Sequence, residues 1–110
     1  MMEEIQMAML EPVSPGEILQ KEFLEPMNIS AYRLAKEVSI PQSRISDIIR
    51  GKRRVTADTA VRFSKFFGTT PQFWLNIQNQ YDLDELKLSG AEASFSLIRP
   101  AETINACNII

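Results

Sequence analysis

Residues that could do chemistry are concentrated in one segment, PQSRISDIIRGKRRVT, at positions 41–56. Glutamine, serine, arginine and aspartate are side chains that hydrogen-bond to the edges of nucleic-acid bases. Three consecutive cations follow a glycine in this segment, and cations so placed neutralise phosphate groups without distinguishing between bases. The residue types in this segment therefore predict contact with a nucleic acid.

Positive charge is segregated from the rest of the chain. Residues 30–54 contain seven basic and two acidic side chains, a net charge of +5, although all 110 residues together carry −2. The remaining residues therefore carry −7. Such asymmetry is the expected footprint of a phosphate-binding surface. A solvated helix face beside a helix C-terminus would have the same pattern, so charge alone does not decide between the two interpretations.

The composition argues against catalysis and against a bound metal. The chain has no histidine, the commonest general base and metal ligand, and its single cysteine cannot form an internal disulfide. No glycine-rich phosphate-binding motif occurs, and acidic pairs such as Asp84-Glu85 are typical of solvated surface. No apolar run is long enough to span a bilayer. We therefore expect a cytoplasmic protein with no enzymatic activity, no cofactor or metal, and no membrane contact.

Five predicted helices must position the polar segment. Apolar residues recur at helical spacing between helix-capping residues, prolines and glycines. The predicted limits are Pro15 to Pro26, AYRLAKEV after the N-cap Ser30, residues 41–50 with Pro41 at the first helical position, Thr56 to Gly68, and Thr70-Pro71 to about Ser89. Short connections between these helices predict an all-α orthogonal bundle.

The second and third helices have the length and patterning of a helix-turn-helix unit. In such a unit the apolar sides of both helices pack on the core, which leaves the polar side of the second helix free for the major groove. The predicted base-reading residues are Gln42, Ser43, Arg44, Ser46 and Asp47. The predicted phosphate-binding residues are Arg33, Lys36, Arg50, Lys52, Arg53 and Arg54. Two alternatives stay open: Arg44 could be a surface helix former, and Asp47 could orient Arg44 or Arg50.

The second half of the chain has more apolar residues than a small core needs. Phe73, Ile77 and Tyr81 recur every four residues and predict the apolar stripe of the fifth helix. Three further side chains are predicted either as core or as part of a partner surface: Phe66, Trp74 and Leu75.

Residues beyond Gly90 change in pattern. The segment ASFSLIRPAETINACNII is β-branched and partly alternating, which predicts a short strand near residues 95–98, with a frayed tail as the alternative. The expected organisation is a flexible leader at 1–14, a DNA-binding domain at 15–90, and a C-terminal tail at 91–110 for dimerisation or partner contact.

Residues 15–83 resemble the HigA/VapI-type antitoxins, a branch of the Cro/C1 (Xre-like) helix-turn-helix proteins. The resemblance is carried by PGE before the first helix, SRISDIIRGKRRVTADTA across the third helix and its successor, and FGTTPQFWLNIQ further on. It implies a lambda-repressor-like bundle of five helices with the polar third helix as the reading helix.

The resemblance also implies a function. It implies a homodimer that binds double-stranded DNA at a palindromic operator, represses its own operon and neutralises a HigB-type toxin, an mRNA-cleaving ribonuclease. Two reading helices on one face of a duplex would lie about 34 Å apart, and the fifth helix and the tail are the expected dimer contacts. The alternatives are a stand-alone repressor without a toxin, and a protein-interaction module whose helix-turn-helix is vestigial.

Overall fold

A computed structural model describes residues 12–107, and the side chains of residues 12–104. Within that range all regular structure is helical. The first helix, α1, is continuous through three segments: Pro15–Ile18, Leu19–Leu24 and Glu25–Met27. The others are α2 at Ala31–Val38, α3 at Gln42–Ile49, α4 at Ala57–Phe67, α5 at Pro71–Leu88, α6 at Glu92–Phe95 and α7 at Ala101–Cys107. The predicted all-α bundle is confirmed. Residues 1–11 of the predicted leader lie outside the described range.

The middle of α1 is a π-helix. The N–H of Glu25 donates to the carbonyl of Gln20, five residues earlier. Pro26 has no N–H, and its ring would clash with the carbonyl four residues earlier in a regular α-helix, so a wider turn precedes it. Leu19 and Leu24, five residues apart, are both fully buried. The prediction that Pro26 stops the helix is wrong by one residue, because α1 ends at Met27.

Hydroxyl side chains precede and cap α2, α4 and α5. Ser30 Oγ accepts from the N–H of Arg33, Thr56 Oγ1 from that of Thr59, and Thr70 Oγ1 from that of Phe73. These pairs are N-caps, which satisfy backbone donors that have no partner within the helix. Pro41 is itself the N-cap residue of α3, with ψ at 141°. Its predicted place at the first helical position is therefore wrong by one residue.

The core lies between α1 and the four helices that follow. Trp74 is fully buried, and its ring centroid lies 5.0 Å from Phe23 and 5.2 Å from Phe63. Phe66, Trp74 and Leu75 were predicted either as core or as part of a partner surface. Trp74 belongs to the core, while Phe66 and Leu75 are half-buried and pack against it. The predicted stripe of α5 is out of register. Its buried residues are Trp74 and Gln78, while Phe73 is exposed and Ile77 and Tyr81 are half-buried.

The predicted strand near residues 95–98 is wrong. Residues 92–95 form α6, and the N–H of Ser96 donates to the carbonyl of Glu92 at 3.0 Å. The next turn is also closed locally, by a 3.0 Å bond from Ile98 N–H to Phe95 O. A strand needs a neighbouring strand for its backbone groups, and residues 12–107 contain none. None of the helices in this range is long and apolar enough to cross a membrane.

Candidate nucleic-acid interface

The turn between α2 and α3 is closed by backbone and side-chain hydrogen bonds. Ser39 adopts a left-handed conformation with φ of 57°, and the N–H of Ile40 donates to Ala35 O at 3.1 Å. Arg62 of α4 donates from Nη1 to the carbonyl of Val38 at 2.9 Å, which satisfies an acceptor at the end of α2. These contacts fix the direction in which α3 leaves the turn.

One side of α3 is buried and the other is polar and accessible. Ile45 is 0% exposed and Ile48 is 1% exposed, so both point into the core, while Ile49 is half-buried. All five predicted base-reading residues lie off this apolar face: Gln42 and Ser43 are exposed, and Arg44, Ser46 and Asp47 are half-buried. The sequence thus forms an eight-residue helix that packs by isoleucines and presents hydrogen-bonding groups outward.

Several predicted phosphate-binding cations pair with residues one helical turn away. Arg50 Nη2 lies 3.2 Å from Asp47 Oδ1, so this carboxylate orients Arg50, one of the two roles left open for it. On α2, Arg33 Nε lies 2.7 Å from a Glu37 carboxylate oxygen. Lys36 Nζ lies 5.5 Å from the centroid of the Tyr32 ring. Their side chains stay accessible, because Arg33 and Arg50 are both more than half exposed.

The segment from Gly51 to Val55, here called the cation loop, is fixed at both ends. Gly51 has φ of 77°, the left-handed conformation common just after a helix, and the N–H of Lys52 donates to Asp47 O at 2.8 Å. At the other end Val55 is 2% exposed. The side chains of Lys52, Arg53 and Arg54 are exposed between these two anchors.

α5 contributes polar side chains that the sequence analysis did not select. Gln78 is 4% exposed, and its Oε1 accepts from the N–H of Val55 at 2.7 Å. Its Nε2 donates to Asp82 Oδ1 at 3.0 Å. Asp82 Oδ2 in turn lies 2.7 Å from Arg54 Nη1. The only available signal was a glutamine four residues after Trp74, on the same side of a helix.

Gly16 is a second residue that sequence reasoning missed. It is buried in the first turn of α1, against the carboxyl end of α3. A Cβ atom at this position would overlap the carbonyl oxygen of Ile48 and lie 2.7 Å from that of Ile49. The PGE motif was its signal, because only glycine permits so close an approach of two helices.

A shallow cleft of about 260 Å³ lies beside the cation loop. Its lining includes Lys52, Arg53, Gln78, Tyr81 and Asp82. Burial raises the pKa of Tyr81, and the negative charges of Glu85 and Asp82 raise it further. The phenol therefore stays neutral at physiological pH and leaves the carboxylates as the negative groups near the loop.

The fold and the site together define a helix-turn-helix protein of the Cro/C1 type. The helix-turn-helix family model matches residues 20–74, from α1 into the first turn of α5. Virulence-associated protein I of Dichelobacter nodosus is 44% identical over 91 residues, which cover 83% of this chain and 82% of that protein. Antitoxin HigA-1 of Vibrio cholerae is 44% identical over 72 residues, 66% of this chain and 68% of that protein.

A solved structure has the same fold. The structure of Pseudomonas aeruginosa antitoxin HigA with the higBA promoter matches with a TM-score of 0.76 and 36% identity, over 82% of this chain and 98% of that chain. The chain belongs to the HigA/VapI-type antitoxins of the Cro/C1 helix-turn-helix family.

Proposed function

We propose that the protein binds the operator of its own operon as a dimer, represses that operon, and neutralises a HigB-type ribonuclease toxin. The observation that carries the proposal is the accessible polar side of α3, followed directly by the anchored cation loop. The P. aeruginosa relative whose structure was solved with its promoter supports the same role for this chain. The site of action is the cytoplasm, where the operator is.

Base recognition falls to the polar side of α3. Gln42 pairs with adenine and Arg44 with guanine, since amide and guanidinium groups can each make two hydrogen bonds to those bases. Ser43 and Ser46 adapt to either base. Asp47 holds Arg50 and accepts from cytosine where one is present.

Phosphate contacts position the protein on the duplex. Arg33 and Lys36 of α2 are proposed to contact one strand. Arg50 and the cations of the cation loop, Lys52, Arg53 and Arg54, contact the other. The acidic remainder of the chain keeps the other surfaces away from DNA.

Dimerisation is assigned to the carboxyl half of α5 and the tail, residues 91–110, while residues 15–90 form the DNA-binding domain. Large apolar side chains are exposed in this region, and they include Leu83, Leu86, Leu88, Phe95, Leu97 and Ile98. Exposed large apolar side chains mark a protein interface where they form a contiguous patch, and a dimer would bury these. A twofold dimer matches a palindromic operator, with reading helices about 34 Å apart.

Two measurements test the proposal. Affinity for a duplex carrying the protein's own promoter should exceed that for a duplex of random sequence, and it should fall at least about a thousandfold between roughly 50 and 200 mM salt. No binding, or a flat salt response, would favour an interaction module with a vestigial helix-turn-helix. A ribonuclease-like reading frame immediately upstream, whose product the protein inhibits, separates an antitoxin from a stand-alone repressor.

A further inference from the structure

The cation loop is joined to α5 by one chain of polar contacts. The loop backbone at Val55 donates to Gln78, whose amide nitrogen donates to Asp82 Oδ1 at 3.0 Å. Asp82 Oδ2 lies 2.7 Å from Nη1 of Arg54. Gln78 is buried and bonded at both ends of its amide, so the carboxylate that faces Arg54 is held in place by the core.

Arg54 differs in this respect from the other two cations of the loop. Among residues 12–104, Lys52 and Arg53 have no carboxylate within ion-pair distance, whereas Arg54 has Asp82. Net positive charge at the end of the loop is therefore lower in the free protein than its three basic residues suggest.

We infer that Asp82 is a positioning residue that competes with DNA phosphate for Arg54, and so lowers the affinity of the cation loop for DNA of any sequence. The inference rests on the proposed operator binding. It adds a residue outside the helix-turn-helix unit that sets how tightly the unit holds a duplex.

The pair is weak enough to be exchanged. The Arg54 side chain is 59% exposed and that of Asp82 is 34% exposed, and solvent screens charges in this setting. An exposed ion pair favours the paired state by only about 1.4- to 5-fold. A phosphate that lies beside Lys52 and Arg53 can therefore displace the carboxylate from Arg54. Because the pair must break when DNA binds, each pair lowers the affinity for DNA by that same factor.

The exchange has a distinctive effect on salt dependence. A cation that neutralises a phosphate releases about 0.9 counterion from the ion atmosphere of the DNA. Arg54 should give a smaller net release, because the Asp82 carboxylate attracts a solvent cation when Arg54 leaves it. Arg54 should therefore contribute less to the salt slope of the wild-type protein than Arg53 does.

Replacing Asp82 with asparagine tests the inference. The Asp82→Asn side chain keeps an oxygen that can accept from Gln78, but it no longer holds Arg54. Asp84→Asn is the matched control, because it makes the same charge change on the same helix. Among the side chains of residues 12–104, the Asp84 carboxylate accepts only from Gln80, at 2.9 Å. Binding of both variants is measured on the promoter duplex and on a random duplex, from about 50 to 200 mM salt.

We expect Asp82→Asn to tighten binding to both duplexes by about 1.4- to 5-fold per protomer more than the control does. Its salt slope should be steeper by up to about 0.9 per protomer. Adding Arg54→Gln should abolish both gains, while Arg54→Gln alone should reduce the wild-type slope by less than Arg53→Gln does.

Three outcomes would overturn the inference. They are equal effects of Asp82→Asn and Asp84→Asn, a gain that persists in the presence of Arg54→Gln, and weaker binding by Asp82→Asn, which would mean that Asp82 directs Arg54 toward DNA. Failure of the wild-type protein to bind either duplex overturns the proposed function itself, and the inference with it. Normal wild-type binding with no special effect at position 82 overturns the inference alone.

Discussion

The backbone N–H of Val55 donates a 2.7 Å hydrogen bond to the side-chain oxygen of Gln78, 23 positions later in the chain. Val55 is 2% exposed and Gln78 is 4% exposed, so water does not replace this bond if it is lost. The bond anchors one end of the cation loop to α5. It makes the position of the loop depend on a helix outside the helix-turn-helix unit.

Gln78→Leu should lower the free energy of unfolding by about 1–3 kcal/mol, the cost of leaving a buried donor without an acceptor. Urea denaturation measures this change. Gln80→Leu on the same helix is the control, because Gln80 is exposed and, within the described part of the chain, its side chain bonds only to Asp84. Equal unfolding midpoints for the two variants would mean that the Val55 bond does not stabilise the fold.

Gly16→Ala should destabilise the protein by at least about 1–3 kcal/mol and should also weaken operator binding. The added methyl group overlaps the carbonyl of Ile48, so either α1 or α3 must shift. Thermal unfolding and promoter binding are measured together. Gly90→Ala is the comparison, because its Cβ would meet no atom within 4 Å and only its positive φ is strained. Gly90→Ala should lose some stability but keep its DNA affinity. Full DNA affinity in Gly16→Ala would mean that α1 shifts and α3 does not.

Ser39→Gly should raise the free energy of unfolding by about 0.5–1 kcal/mol. The left-handed conformation costs a non-glycine residue about 1–2 kcal/mol, and the greater flexibility of glycine in the unfolded chain offsets part of that gain. Ser89→Gly should act in the opposite direction, because Ser89 has φ of −77° and donates to Leu86 O at 2.7 Å. The two variants are compared by chemical denaturation, and a shift of the same sign in both would rule out backbone strain at Ser39.

Arg44→Ala and Arg53→Ala should weaken DNA binding in different ways. Loss of Arg44 should cost about 1–3 kcal/mol on the operator and relax base choice at one position. Loss of Arg53 should weaken binding to all sequences alike and reduce the salt slope by roughly one unit per protomer. Titrations on operator and random duplexes distinguish these effects. If both variants lose the same affinity on both duplexes, the division into base-reading and phosphate-binding residues is wrong.

Leu97→Glu should weaken the proposed dimer by about 1.5–3 kcal/mol per protomer, the value of burying one leucine side chain. Leu97 is 79% exposed in the single chain, so the folded protomer should keep its stability. Light scattering over a concentration series measures the change. Gln72→Glu is the control, because it adds the same charge in the first turn of α5, where the side chain is exposed. A dimer unaffected by Leu97→Glu would place the interface elsewhere.

Local signals predicted most of the helical framework. Ser30, Thr56 and Thr70 were recognisable as the starts of helices, and each accepts from the N–H three residues later. Their effect is local, so sequence spacing is enough to find them. The buried side of α5 was misassigned, because period-four spacing fits two neighbouring faces of a long helix equally well. Only contact with the core selected the face that contains Trp74 and Gln78.

The sequence by itself determined that α3 carries polar groups opposite isoleucines and that cations follow it within a few residues. Both properties depend on spacing along a single helix and its end. Only the tertiary structure decided that Gly16 packs on the carboxyl end of α3, that Gln78 anchors the cation loop and that Asp82 faces Arg54. Each of these contacts joins residues more than twenty positions apart, and neither periodicity nor charge specifies which distant groups the packed core brings together.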